Sequence, residues 1–296
     1  MKECCQCLNN SAMPYVEIKD GLCNACRSFP KIKNVLCKCE ALERSFLDEV
    51  NKCKNSRKKY DAILGVSGGK DSSYVLLKLV TKYNMKVLAV TFDNGYLSEL
   101  AKENVVRSTE TLGVDHIFIV LDKNLLKMAY DTSIEINGAP CLGCSQIMYT
   151  AIMNEARKRG VDYVFHGRSR RQIFGTYGLN KGERPFSEMY QNEEYKEALL
   201  SHYAYADSEP LPYIGYFFYH DVTQEEMEKE LDMHLGWRQN KNKEEHFDCT
   251  YHKEARDMFY HKNKYALDIN ERNYDIRMGY ISRQEALKLS RNDTES

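Results

Sequence analysis

Four groups of residues in this chain have the types and spacing to do chemistry. The first is a pair of CxxC strings, Cys4 with Cys7 and Cys23 with Cys26, separated by 15 residues. Four thiolates in two such knuckles suit a tetrahedral Zn²⁺ with no open position, which is a structural site. The second is GVSGGKDSSY, residues 65–74, which follows an apolar run and opens a helical one. Gly68 and Gly69 let the backbone turn sharply, and successive N–H groups at a helix N-terminus suit a phosphate. The string lacks the GxxxxGK(S/T) spacing of the common NTPase loop.

The third group is Cys141 and Cys144 in PCLGC, with Cys249 far along the chain in HFDCTYHKEARD beside His246, Asp248 and His252. A disulfide is disfavoured in a reducing compartment, and a second zinc site would need histidine to complete its ligands. Two readings stay open. The thiols are simply buried, or Cys141, Cys144 and Cys249 hold a 4Fe–4S cluster by three thiolates, leaving one iron open to substrate or sulfide. The fourth group is HGRSRRQ, where Arg168, Arg170 and Arg171 could clamp pyrophosphate or an anionic substrate, or form a solvated basic turn. Asp93 in TFDNG stands at another strand end, where it could meet ribose or adenine or close an Asp-Asn-Gly turn.

The elements that must position these groups are legible as a pattern. From Tyr60, short apolar runs (DAILGV, KVLAVTFDNG, HIFIVL, DYVFHG) alternate with helical stretches, two of them closed by Gly113 and Gly160. Alternation of this kind implies βαβ units and a parallel sheet with helices on both faces, with ligands outside the carboxyl ends of the strands. The expected organisation is a zinc knuckle over 1–29, a connecting helix over 30–59, an ATP-binding α/β domain over 60–175, and a mostly helical substrate or partner region over 176–296. In that last region the alternation stops, and SRQEALKLSRN reads as a helix capped by Ser282.

The chain has 296 residues, 43% hydrophobic and 29% charged, with a formal net charge of −1. That balance argues against a global basic field for nucleic acid or an anionic membrane. No apolar run approaches the ~20 residues of a membrane span. The start MKECCQC is unlike a signal peptide, and 11 Cys without one point to the cytosol.

Ser67-Gly68-Gly69-Lys70-Asp71-Ser72 resembles the SGGxDS signature of the PP-loop ATP pyrophosphatases. The resemblance implies that Mg·ATP is cleaved between its α and β phosphates, giving AMP and pyrophosphate. It assigns nucleotide binding to Gly65, Val66, Ser67, Gly68, Gly69, Lys70, Asp71, Ser72, Asp93 and Gly167. Lys70, Asp71, Cys141 and Cys144 become candidates for catalysis. The strings ECCQCLNNSAMPYVEIKDGLCNACR, TFDNGYLSELAKENV and LGVDHI are similar to the N-acetyl sugar amidotransferase branch, which serves surface-polysaccharide pathways. That implies replacement of an amide oxygen on a sugar by nitrogen, supplied by a glutaminase partner. PCLGCSQIMYTAI in turn resembles the CxxC-then-helix of PP-loop tRNA thiolases, which implies sulfur and a sulfur-donor protein. The string His166-Gly167-Arg168-Ser169-Arg170-Arg171 departs from the GHxxDD of many PP-loop enzymes by replacing the acids with arginines. A homodimer is a further option for partners, and no RNA-binding module is recognisable.

Overall fold

The computed structural model describes residues 1–54, 58–179, 186–240 and 246–295. The chain begins with a small antiparallel hairpin, β1 (Ile18–Lys19) and β2 (Leu22–Cys23). Cys23 then caps α1 (Asn24–Leu36), its sulfur accepting from the Cys26 N–H, and α2 (Cys39–Lys54) follows. The stretch 30–59 therefore carries two helices rather than one, and the first already starts inside the cysteine module. Residues 55–57, at the end of that stretch, lie outside the described residues.

The α/β core runs β3 (Ala62–Gly65), α3 (Lys70–Thr81), β4 (Val87–Asp93), α4 (Glu99–Leu112), β5 (His116–Val120), α5 (Lys123–Asn137), α6 (Cys141–Lys158), β6 (Val164–His166) and α7 (Arg170–Phe174). After it come α8 (Glu193–His202), β7 (Tyr213–Gly215), the short α9 (Tyr216–Tyr219), α10 (Gln224–Leu235), α11 (His252–Asn263), α12 (Ile269–Met278) and α13 (Arg283–Glu295). The five strands from β3 onward form one parallel sheet in the order β5-β4-β3-β6-β7.

The expected α/β class, with helices on both faces, is what the chain builds. Strand β3 reads Ala-Ile-Leu-Gly with its apolar residues buried, as a strand covered on both sides must. On one face Phe46 and Val50 of α2, Val75 and Leu79 of α3 and Leu231 of α10 pack over Ala62, Leu64 and Ala89. On the other, Ile152, Met153 and Ala156 of α6 cover Ile63, Leu88 and Val90. Residue periodicity sends alternate strand side chains to these two layers.

Two local signals act as expected: Gly113 closes α4 in the left-handed region with φ 62°, and Ser282 exchanges capping bonds with Glu285 at the start of α13. The fifth strand is a correction. The sheet does not end at β6, because Tyr213–Gly215, well beyond Gly175, adds β7 in parallel. Among the described residues no helix is long and apolar enough to cross a membrane.

The sheet order reverses at β3, with β4 and β5 on one side and β6 and β7 on the other. A crevice at the carboxyl ends of the strands on either side of β3 follows from that topology. The phosphate-loop candidate, Asp93 and His166–Arg168 all lie at its rim.

Candidate functional site

The loop after β3 is built so that one carbonyl faces the protein and the helix N-terminus faces the crevice. Gly69 is the N-cap of α3 and brings no side chain to cap it. The first turn of α3 is thus left to an external acceptor such as phosphate oxygen. Gly68 has φ +79°, and a Cβ there would lie 2.0 Å from the Ala101 carbonyl oxygen, so only glycine fits. Behind the loop, Trp237 Nε1 donates to the Gly68 carbonyl at 2.9 Å and Asn104 Nδ2 to the same oxygen at 3.3 Å. Inside it, Ser72 Oγ accepts from the Ser67 N–H at 3.1 Å. The β6 end closes against it: a Cβ at Gly167 would come within 2.8 Å of Ser72 N and Cα. Lys70 and Asp71 form an ion pair at the mouth, both partly exposed. Asp93 is engaged otherwise, its carboxylate accepting from the Gly95 N–H at 2.9 Å and pairing with Lys102 at 3.7 Å.

A strap from the C-terminal region crosses this rim. Leu97 and Cys249 form an antiparallel bridge, the Ser98 N–H donates to the Asp248 carbonyl at 3.0 Å, and the Thr250 N–H to the Tyr96 carbonyl at 2.8 Å. The bridge residue Cys249 sits between two turns, its N–H donating to the His246 carbonyl at 3.3 Å and its carbonyl accepting from the His252 N–H at 3.2 Å. Asp248 faces the phosphate-loop candidate: its Oδ2 lies 3.3 Å from where a Gly69 Cβ would be, and it accepts a hydrogen bond from Ser67. Burial pushes its carboxyl above the usual range, and the nearby Asp71 charge adds to this.

Cys249 is next in the chain, and besides burial the Cys144 charge is among the groups that raise its thiol. Cys141 and Cys144 occupy the first turn of α6, whose N-cap is Pro140, rather than the loop before it. Gly143 between them is needed for packing, because a Cβ there would lie 2.2 Å from the Ala129 carbonyl oxygen of α5. Cys144 Sγ accepts from Asn94 Nδ2 at 3.3 Å and from the Tyr130 hydroxyl at 3.7 Å. Tyr96 stacks between Tyr251 and Tyr130, with centroids at 4.8 and 6.3 Å. Burial pushes the Cys141 thiol up to about 12, and Cys144 and Cys249 both contribute, so the three sulfurs share one electrostatic neighbourhood. Burial also raises Cys144 and Cys249. Among the described residues only the four knuckle cysteines bring their ligand atoms within 4.8 Å of one another, so Cys141, Cys144 and Cys249 do not stand as a closed ligand group.

The three arginines do not converge. Arg170 is buried and donates to the Phe217 carbonyl at 2.9 Å while pairing with Asp221 at 2.9 Å. Arg171 pairs with Asp275 of α12 at 2.9 Å. Arg168 is exposed at the strand end, its guanidinium reaching the Gln172 carbonyl at 3.3 Å, whereas the exposed Arg171 is tied to Asp275. His166 accepts the Arg168 N–H at Nδ1 and lies against Tyr213, with ring centroids 4.3 Å apart. Burial, reinforced by the Arg168 charge, pushes it down to about 3, so it is neutral.

Away from the crevice, Cys4, Cys7, Cys23 and Cys26 are all buried, with their sulfurs within 4.8 Å of one another. The Cys4–Cys26 and Cys7–Cys23 separations are 3.8 and 3.7 Å. A tetrahedron with metal–sulfur bonds of about 2.3 Å has edges of about 3.8 Å, which these two separations match, so the four thiols suit a metal ion.

Three residues at these sites carry no motif of their own. Trp237 gives no local signal, and Arg277 lies in DIRMGYISRQEALKLS, a string loosely similar to the N-acetyl sugar amidotransferase branch. Asp248 has a weak one, an acid beside Cys249 in HFDCTYH.

A family of unknown function, DUF7411, has a profile that matches residues 60–172, from the start of β3 into α7. The uncharacterized protein MJ1599 of Methanocaldococcus jannaschii is 30% identical over 109 residues, which is 37% of this chain and 38% of its own length. The match thus spans little more than a third of that relative. Among solved structures, the chain is similar to the U34-tRNA thiolase NcsA of Methanococcus maripaludis with its 4Fe-4S cluster, at TM-score 0.43 and 17% identity, over 81% of this chain and 79% of that one. It is also similar to the NH3-dependent NAD synthetase of Campylobacter jejuni, at TM-score 0.36 and 17% identity, over 61% and 78%. NMN synthetase of Francisella tularensis aligns at TM-score 0.38 and 12% identity, over 81% and 96%.

Proposed function

We propose that this protein is an ATP-dependent enzyme of the PP-loop type that activates a carbonyl or amide oxygen of its acceptor by adenylation and replaces it with sulfur. The observation that carries this reading is the strap bridged to Leu97, in which Asp248 takes a hydrogen bond from Ser67 and the next residue, Cys249, acts electrostatically on Cys141 together with Cys144. Nucleotide activation and a thiol group are thereby one residue apart.

In the reaction, the acceptor oxygen attacks the α-phosphorus of ATP and pyrophosphate leaves. A sulfur nucleophile then attacks the activated carbon, and AMP departs with the original oxygen. The N–H groups at the start of α3 and Lys70 stabilise charge on the phosphates, and Asp71 with Asp248 would hold Mg²⁺. Cys141, Cys144 and Cys249 would be the residues to hold an iron–sulfur cluster, which would supply a binding place for sulfide. The four-cysteine knuckle would hold Zn²⁺ in a structural role, and a sulfur-donor protein is the expected partner.

A second reading, nitrogen transfer to an N-acetyl sugar with a glutaminase partner, is favoured by the wording of the knuckle and of TFDNGYLSELAKENV and LGVDHI within the α/β core. The two separate on anaerobic purification followed by iron and acid-labile sulfide analysis. Iron and sulfide that disappear in C249S support sulfur transfer, and protein without either selects nitrogen. Adenylation itself is tested by AMP and pyrophosphate release from ATP; an Asp71→Ala variant that releases both at the wild-type rate would sink it.

A further inference from the structure

Arg277 of α12 is 3% exposed, with its guanidinium against two of the four knuckle thiols. Nε lies 3.4 Å from Cys26 Sγ and Nη2 3.7 Å from Cys7 Sγ, while Nη1 donates to the Gly175 carbonyl at 2.9 Å. A buried guanidinium is costly unless negative charge stands beside it. Four neutral thiols do not supply that charge. Four thiolates around a divalent cation carry −4 + 2 = −2, and Arg277 offsets half of it.

The same helix grips the knuckle and the crevice at once. Asn273 Nδ2 donates to Asn9 Oδ1 at 2.7 Å, its Oδ1 accepts from the Leu8 N–H at 2.8 Å, and Asn9 Nδ2 points at Cys23 Sγ at 3.5 Å. Toward the crevice, Asp275 pairs with Arg171 of α7. At the end of α7, a Cβ on Gly175 would lie 2.6 Å from the Asn270 carbonyl oxygen. Upstream, α7 continues through Ser169 and Arg168 to Gly167, whose backbone rests on Ser72 of the phosphate-loop helix.

We propose that Arg277 turns the metal-loaded knuckle into a clamp: the tetrathiolate site holds the guanidinium, and through Gly175 and α7 it fixes the Gly167–Arg168 turn against the phosphate loop. The knuckle's role is then to brace the crevice from within the chain, and not to read a nucleic acid. The clamp rests on the reading that the four thiols hold a divalent metal, and its test separates the two.

Zinc release to a chromogenic chelator is measured for wild type, R277K and R277M. Amide exchange over 168–175 is measured by mass spectrometry in wild type before and after stripping. R277M is expected to release zinc about 10-fold faster or more, as losses of second-layer partners typically do, with R277K nearer wild type. Stripping is expected to raise exchange over 168–175 and to leave 141–158 unchanged. Equal release from R277M and wild type overturns the charge pairing, and unchanged exchange over 168–175 overturns the brace. Protein that binds no zinc at all overturns the metal reading and the clamp with it. If R277M does not fold, R277K and the wild-type exchange measurement decide.

Discussion

The indole of Trp237 donates to the Gly68 carbonyl at 2.9 Å, so a residue 169 positions away fixes the turn of the phosphate loop. Trp237 is itself buried against Phe247, at the foot of the strap that carries Asp248 and Cys249. One side chain therefore supports both the loop and the segment that crosses it.

Trp237→Phe keeps most of the apolar packing and removes the indole donor. The Gly68 carbonyl retains Asn104 as a longer partner at 3.3 Å. The expected loss of stability is about 1–2 kcal/mol, the usual effect of deleting one buried hydrogen bond with some lost volume. Nucleotide affinity should fall with it, because the loop carbonyl is no longer pinned. Chemical denaturation with a parallel ATP titration checks both, and unchanged affinity would separate Trp237 from the loop.

Asp248 carries a raised carboxyl, so its folded-state proton affinity exceeds that of the unfolded chain. By linkage, its contribution favours the fold below the unfolded value of about 3.9 and is lost as pH rises through the higher folded value. In metal-free, nucleotide-free protein, Asp248→Asn should therefore lose less stability than wild type as pH rises across that window. If Asp248 also holds Mg²⁺, the same variant should need more Mg²⁺ for AMP formation. Thermal melts across pH and a Mg²⁺ titration read the two effects separately. A variant whose pH profile overlays wild type would remove Asp248 from the crevice.

How much of this was legible beforehand depends on the range of the signal. The apolar runs of β3 to β6, Gly113 and Ser282 act within a few residues, and the sequence pattern carries them, although edge strand β5 leaves Phe118 and Val120 exposed. SGGKDS and the two knuckles are likewise local strings whose backbone or ligand geometry follows from their spacing. Strand β7 has three residues inside a Tyr-rich stretch, too short for a period to register, and it exists because β6 offers an open edge. The strap is harder still. Its register is set by one bridge between Leu97 and Cys249, and nothing in HFDCTYH dictates which residue faces which site. Charge alone also misleads at 168–171, where three arginines look equivalent until their partners from α9 and α12 are known.

His166 reports on burial at the β6 end. Its pKa, pushed down to about 3, lies below the ordinary 6.5. For a base depressed in the fold, stability is fully present above the unfolded value and drains as pH falls from about 6.5 toward about 3. His166→Asn, which cannot take up the proton, should flatten that part of the acid unfolding curve. Histidine C2-proton chemical shifts followed by NMR should show the His166 ring not titrating near neutrality, as also expected of His252, pushed down to about 4. A ring at position 166 titrating near 6.5 would contradict the buried, neutral imidazole.

Arg168 and Arg170 should behave oppositely despite their shared string. Arg170 lies buried between the Phe217 and Phe218 carbonyls and Asp221. Removing it leaves those carbonyls without their charged donor, and Arg170→Ala should cost about 3 kcal/mol. Arg168 is exposed, and among the described residues its guanidinium bonds the Gln172 carbonyl in its own turn, so Arg168→Ala should leave stability within about 0.5 kcal/mol of wild type. Its place at the strand end beside Gly167 and the phosphate loop makes it the arginine able to meet a phosphate or an anionic acceptor. Arg168→Ala should therefore raise KM for ATP or acceptor in the pyrophosphate-release assay while the melting temperature holds. A destabilised Arg168→Ala with normal KM, or a stable Arg170→Ala with raised KM, would reverse the assignment of the two residues.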